Sequence, residues 1–203
     1  MAAERERKGF FARNKILIII LALIAIILIW VIAMYNNFVT LDQNVNSKWS
    51  EVENQYQRQS DLIPNLVSTV SSSVKIETNF VTAVTEARSR WQTSQSQFEK
   101  DTSGVQMANG IAALVNAVAV SENYPQLQAN KQYVALTDEL SGTQNRIAVA
   151  RGRYIESIQL FNTAIKRFPG NVFAGIFGFS AKDYYEAEIS SMTTPSLGTG
   201  ILP

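Results

Sequence analysis

Nineteen consecutive residues, Ile16 to Met34 (ILIIILALIAIILIWVIAM), carry no charged, amide or hydroxyl side chain. At about 1.5 Å rise per residue, such a stretch spans roughly 28 Å as a helix, close to the ~30 Å hydrocarbon core of a bilayer. The run is bounded by Lys15 on one side and Asn36-Asn37 on the other, with Trp30 and Tyr35 suited to one interface. It therefore reads as a single membrane-spanning helix. A cleaved secretory signal is the rival reading, since Val31-Ile32-Ala33 offers small or β-branched residues at cleavage positions. Its apolar core would normally run only ~7–15 residues. A buried helix of a soluble domain would show a polar face, which this run lacks.

The charges flanking the run predict its orientation. Residues 1–15 hold Arg5, Arg7, Lys8, Arg13 and Lys15 against Glu4 and Glu6, a formal +3. The chain has 18 basic and 17 acidic residues in all, so residues 35–203 keep 13 and 15, a formal −2. By the positive-inside rule the N-terminal flank stays in the cytoplasm, and the rest of the chain lies outside it. The mild acidity of that part gives no electrostatic footprint for nucleic acid.

The sequence contains neither cysteine nor histidine. Disulfides, thiolate nucleophiles and zinc–sulfur clusters are excluded, together with the commonest general base and the commonest metal ligand. An enzyme built from this alphabet would need paired carboxylates or a Ser–Lys arrangement, and no spacing nominates either. No Gly-rich phosphate loop follows a predicted strand, and Asp138-Glu139 is too short for a calcium loop. Neither a catalytic residue nor a cofactor or metal is expected.

Helical periodicity resumes directly after the apolar run. Phe38, Val45, Trp49, Val52, Tyr56, Ile63, Leu66 and Val70 form one apolar stripe, which continues in phase through Val74, Val81, Val84, Ala87, Trp91 and Phe98. No glycine lies between Tyr35 and Lys100, so the spacing predicts a long helix interrupted only at Pro64 by a kink or short break near residues 60–63. Lys100 to Gly104 reads as a turn. Val105 to Ser121 reads as a buried bundle helix, too short and too rich in amides to span a membrane. A third long helix is predicted from Gln126 or Asn130 to Phe168, ended by Pro169-Gly170-Asn171. Gly142 and Gly152 within it suggest close packing of a neighbouring helix. The apolar run Val172 to Phe179 follows, then a predicted short helix over Lys182 to Ile189, and a Ser/Thr/Gly/Pro-rich tail over residues 190–203 with a disordered composition. The predicted fold is all-α: one N-terminal transmembrane helix (16–34) behind a basic flank (1–15), followed by an antiparallel long-helix bundle (35–189).

Four separated blocks sharpen this reading. They are Gln57-Arg58 with Asp61-Leu62-Ile63-Pro64-Asn65-Leu66-Val67, then Gly142-Thr143-Gln144-Asn145-Arg146-Ile147, then Arg167-Phe168-Pro169-Gly170-Asn171, and Phe177-Gly178-Phe179. In this order, behind a single anchor with Tyr35-Asn36-Asn37 at its exit, the chain resembles the LemA family of bacterial membrane proteins. Gln144, Gln59 and Phe161 depart from residues common in that family. The resemblance implies a single-pass protein with a helical-bundle domain and no established enzymatic activity. Some relatives are associated with magnetosome membranes, which points to membrane organisation by analogy alone.

The candidate interaction or structural positions are Arg58, Asp61, Pro64, Asn65, Asn145, Arg146, Phe173, Phe177 and Phe179. Asp61 is expected to cap the helix near Pro64 or to pair with Arg58, Glu139 to pair with Arg146, and Asn145 and Arg146 to bridge helices. The Phe173, Phe177 and Phe179 segment is expected either to pack on its own bundle or to form a lateral contact. The expected partners are the lipid bilayer, further copies of the chain and other membrane proteins, at the bacterial inner membrane. The alternative is an unrecognised hydrolase or small-ligand-binding bundle at the membrane surface.

Overall fold

The computed structural model describes residues 15–73, 78–120, 127 and 129–184. The basic flank before Lys15 and the tail over 190–203 lie outside them. The described residues form five helices and no strand: α1 (Lys15–Ser73), α2 (Thr78–Thr93), α3 (Gln97–Val120), α4 (Lys131–Lys166) and α5 (Gly170–Phe177). The all-α bundle behind one long apolar N-terminal helix is thus as the periodicity predicts. The chain divides into two compact units, one of residues 1–45 with 159–182, the other of residues 46–158 with 183–203. Helices α1 and α4 contribute to both.

The larger unit is an up-down-up-down four-helix bundle, as its pairings show. Arg88 of α2 reaches Ser60 of α1, so α2 runs back along α1. Glu53 and Tyr56 meet Lys100 and Asp101, which sets α3 parallel to α1. Trp49 packs at a tilt against Tyr154 while Gln59 meets Gln144, so α4 descends antiparallel to both. The apolar stripe forms the core: Val52, Tyr56, Ile63, Leu66, Val70, Val84, Trp91, Met107, Leu114, Ile147 and Ile158 are all buried. Full burial of one such side chain is worth about 1.5–3 kcal/mol, so the stripe supplies the main driving force for bundle formation.

Three sequence expectations need correction. The single helix predicted to continue to Phe98 is two: α1 is described to Ser73, and α2, from Thr78, runs antiparallel to it, as the Arg88 contact with Ser60 requires. Phe98 is accordingly off the core, 70% exposed. The turn placed at Lys100 to Gly104 lies instead at Ser94 to Ser96, and α3 begins at Gln97. Ser96 Oγ accepts from the Glu99 backbone N–H, while Glu99 Oε2 accepts from the N–H groups of Ser96 and Gln95. This is a capping box, and those backbone donors hold the Glu99 carboxyl below its ordinary range. The third correction concerns glycine. A Cβ on Gly152 would meet nothing, and one on Gly142 only the end of Arg146, so neither marks helix packing. Gly104 does, because a Cβ there would stand 2.6 Å from the Tyr56 ring.

The smaller unit joins the start of α1 to the end of α4 and to α5. Gly170 begins α5 so close to α4 that a Cβ would lie 2.3 Å from the Ala164 carbonyl oxygen. Gly178 ends α5 in the left-handed region at φ 77°, where the Phe179 N–H donates to the Ala174 carbonyl at 2.9 Å. That turn brings Phe179 onto Phe38, Phe161 and Tyr35. Residues 181–184 are not helical, so the short helix predicted from Lys182 does not begin there; residues 185–189 lie outside the described ones. Instead Asn162, buried, clamps the Lys182 backbone: its Nδ2 donates to the carbonyl at 2.7 Å, and its Oδ1 accepts from the N–H at 2.9 Å.

Candidate interaction surface

Pro64 lies inside an unbroken helix, flanked by Ile63 and Leu66 in the core. A proline there has no N–H to give to the carbonyl of residue 60. Ser60 is fully buried, so its carbonyl would be orphaned, and the Arg88 Nε donates to it at 3.0 Å. Of the kink or short break expected near 60–63, the break does not occur, and α2 supplies a donor to the carbonyl that Pro64 cannot serve. Arg88 was not singled out by the sequence; its one signal is a basic residue on the stripe-bearing α2, next to buried Ala87.

The polar motif residues gather along α1 and α4 in the larger unit. Arg58 pairs with Glu139 at 2.7 Å rather than with Asp61, whose carboxylate accepts from Gln57 Nε2 at 2.7 Å. Glu139 also accepts from Arg146 at 2.9 Å, as expected, and Arg146 donates to Thr143 Oγ1 at 2.8 Å. Arg146 is thus linked to Arg58 of α1 through Glu139. These pairs are solvent-facing, and exposed ion pairs are worth about 0–1 kcal/mol each, so their role is orientation and surface character more than stability. Asn65 is exposed, and its carbonyl accepts from Thr69 Oγ1. Asn145 is also exposed and lines a cavity of about 360 Å³ with Gln59, Asn109, Asn116, Thr137 and Gln144. Gln59 donates to Gln144 at 3.1 Å, but its own Oε1 is buried with no partner among the described residues. Pro64, Asp61 and Asn65 are not brought into this cavity.

A second polar cluster, missed in the sequence, lies deeper. Tyr56 donates to Asp101 Oδ1 at 3.2 Å, and Arg151 donates to Asp101 Oδ2 at 2.9 Å. Burial pushes the Asp101 carboxyl above its ordinary value despite the Arg151 guanidinium and the Tyr56 hydroxyl, which act the other way. Burial likewise raises the Tyr56 phenol, and the Asp101 charge adds to it. Such a bonded triad ties α1, α3 and α4 together in the bundle interior.

In the smaller unit the Phe173, Phe177 and Phe179 segment packs on its own chain. Phe173 lies edge-on to Trp30 at 5.8 Å, and Phe177 edge-on to Tyr35 at 5.1 Å. Lys182 pairs with Asp42 at 2.8 Å and sits over the Phe161 ring. Every block quoted from the sequence now has a local cause: a proline whose acceptor is satisfied from α2, an α1–α4 polar network, a close-approach glycine at 170 and a left-handed glycine at 178.

Those blocks fall within or beside residues 48–197, which match a model of the LemA family. The chain belongs to the LemA family. It is also similar to the magnetosome proteins MamQ 1 and MamQ 2 of Paramagnetospirillum magneticum, at 26% identity over alignments covering 83% of this chain and 72% of each relative. The magnetosome protein MamQ of Magnetospirillum gryphiswaldense is 25% identical with the same coverage. Family membership and the apolar start of α1, the one described helix long and apolar enough to cross a bilayer, make this LemA protein membrane-associated.

Proposed function

We infer that this protein is a single-pass, membrane-anchored helical scaffold that assembles laterally and presents its bundle to other membrane proteins. The observation that carries the reading is the continuity of α1: one helix supplies both the apolar span and a full-length core element of the bundle. Copies anchored in this way share one orientation and are confined to a surface, which raises their effective concentration so that weak lateral contacts suffice. The exposed Arg58–Glu139–Arg146 network is a polar surface suited to such contacts. The magnetosome relatives lend support by analogy. The +3 flank favours a cytoplasmic N-terminus and a bundle outside the bacterial inner membrane. The test is the mass of the full-length protein in mild detergent, where several copies per particle are expected and a monomer would refute lateral assembly. Protease added to intact spheroplasts should digest the bundle, and its protection would reverse the orientation.

A second reading, a small-ligand-binding bundle, is favoured by the amide-lined cavity. Its volume of about 360 Å³ and the unpartnered Gln59 Oε1 suit a neutral hydrogen-bonding molecule better than a charged one, because its lining holds no ionisable side chain.

A further inference from the structure

Helix α5 presents two faces. Phe173 and Phe177 cover α1, while Val172 and Ile176, four residues apart, are 52% and 71% exposed; Phe168 just before the helix is 82% exposed. Bulky apolar side chains left in water at this density are unusual for a soluble surface. The register against α1 says what surrounds them. If Lys15 lies at one border of the hydrocarbon core, ~30 Å of helix at ~1.5 Å per residue places the other border near Tyr35. Phe177 packs on Tyr35, at that border, and Phe173 packs on Trp30, roughly 8 Å inside it by the same rise. Gly170 lies beside Phe38, just outside. Helix α5 thus crosses α1 at the level where the bilayer ends.

Its chemistry matches that level. Residues 168–181 contain no charged side chain, and the stretch is preceded by the exposed Lys166-Arg167. Basic residues at the ends of an apolar helix reach headgroup phosphates while the helix lies in the acyl boundary. We propose that α5 is a second membrane element, an interfacial helix that inserts Val172, Ile176 and Phe168 into the bilayer leaflet beside the exit of α1. The occupant of this face is lipid, because α5 packs on Trp30 and Tyr35 at the end of the apolar span that lipid surrounds. The inference rests on the anchored reading of α1 and is independent of lateral assembly.

The absence of cysteine makes the test direct. Single variants Val172→Cys and Ile176→Cys of the full-length protein, each nitroxide-labelled, are reconstituted into phosphatidylcholine–phosphatidylglycerol vesicles. Ile24→Cys, in the span, serves as the lipid reference, and Glu156→Cys as the water reference. Collision with oxygen is compared with collision with a water-soluble nickel complex. The expected result is that labels at 172 and 176 favour oxygen several-fold over the Glu156 label, in the direction of Ile24. Nickel accessibility equal to that at Glu156, with Ile24 still in lipid, overturns the inference while leaving the anchor intact. Shielding from both agents also overturns it, since protein and not lipid then covers the face. Unchanged circular dichroism in each labelled variant establishes that the readout belongs to the folded protein.

Discussion

Replacing Arg88 by Ala removes the side-chain donor to the Ser60 carbonyl, which has lost its helical partner to Pro64. A buried acceptor left unsatisfied costs about 1–3 kcal/mol, and a hydrogen bond from a charged donor is worth about 1.5–3 kcal/mol, so Arg88→Ala should destabilise by about 2 kcal/mol. Pro64→Ala should leave the fold standing, because residue 64 already has helical neighbours and regains an N–H aimed at residue 60. In that background the carbonyl no longer depends on α2, and Arg88→Ala should cost about 1 kcal/mol or less, the remainder being its aliphatic packing. The expected coupling in the double-mutant cycle is therefore about 1 kcal/mol or more. Urea or thermal unfolding of the four full-length proteins in one detergent supplies the measurement. Additive effects of the two changes would refute the claim that Arg88 substitutes for the amide that Pro64 lacks.

Other substitutions probe the packing and the buried charge. Trp49→Ala should cost about 3–5 kcal/mol and Ile147→Ala about 2–5 kcal/mol, since both are buried, and unmoved denaturation midpoints would refute the helix register. Gly104→Ala should cost about 1–3 kcal/mol by forcing the buried Tyr56 ring aside, and Gly170→Ala at least as much, because its obstacle is backbone; melting curves check both. Asp101 binds its proton more tightly in the folded state than when unfolded, so its contribution is full below the ordinary carboxylate pKa and is lost as pH rises through the raised value. Stability measured against pH should fall across that window, and Asp101→Asn should flatten this part of the curve.

How much of this was legible beforehand depended on which physical signal each segment carries. The apolar period of α1 and α4 is long and unambiguous, and every residue of the predicted stripe from Phe38 to Val70 is buried. The antiparallel course of α2 was hidden because the apolar stripe keeps its phase from α1 into it, although three consecutive serines, 71–73, are poor helix formers. The start of α3 was readable in principle: Ser96-Gln97-Phe98-Glu99 has the capping-box spacing, a stronger local signal than the turn-like composition of Lys100 to Gly104. Glycine misled in α4, where Gly142 and Gly152 have room, because propensity alone does not distinguish a tolerated glycine from one that a neighbour's ring requires, as at 104. The Arg58 and Asp61 pairing failed because tertiary partners compete with helical neighbours: Glu139 takes Arg58, and Gln57 takes Asp61. The triad of Tyr56, Asp101 and Arg151 joins residues 45 and 50 positions apart, which no local pattern brings together.

Cross-linking in native membranes, performed on the full-length chain and on a chain lacking residues 1–34, is the most direct measurement of whether the anchor creates the assembly. With a lysine-reactive reagent at equal expression, the full-length protein should give a ladder of multiples, and the anchorless bundle should remain monomeric at the same total concentration. A full-length protein that stays monomeric, or an anchorless bundle that gives the same ladder, would contradict a scaffold assembled through its confinement to the bilayer.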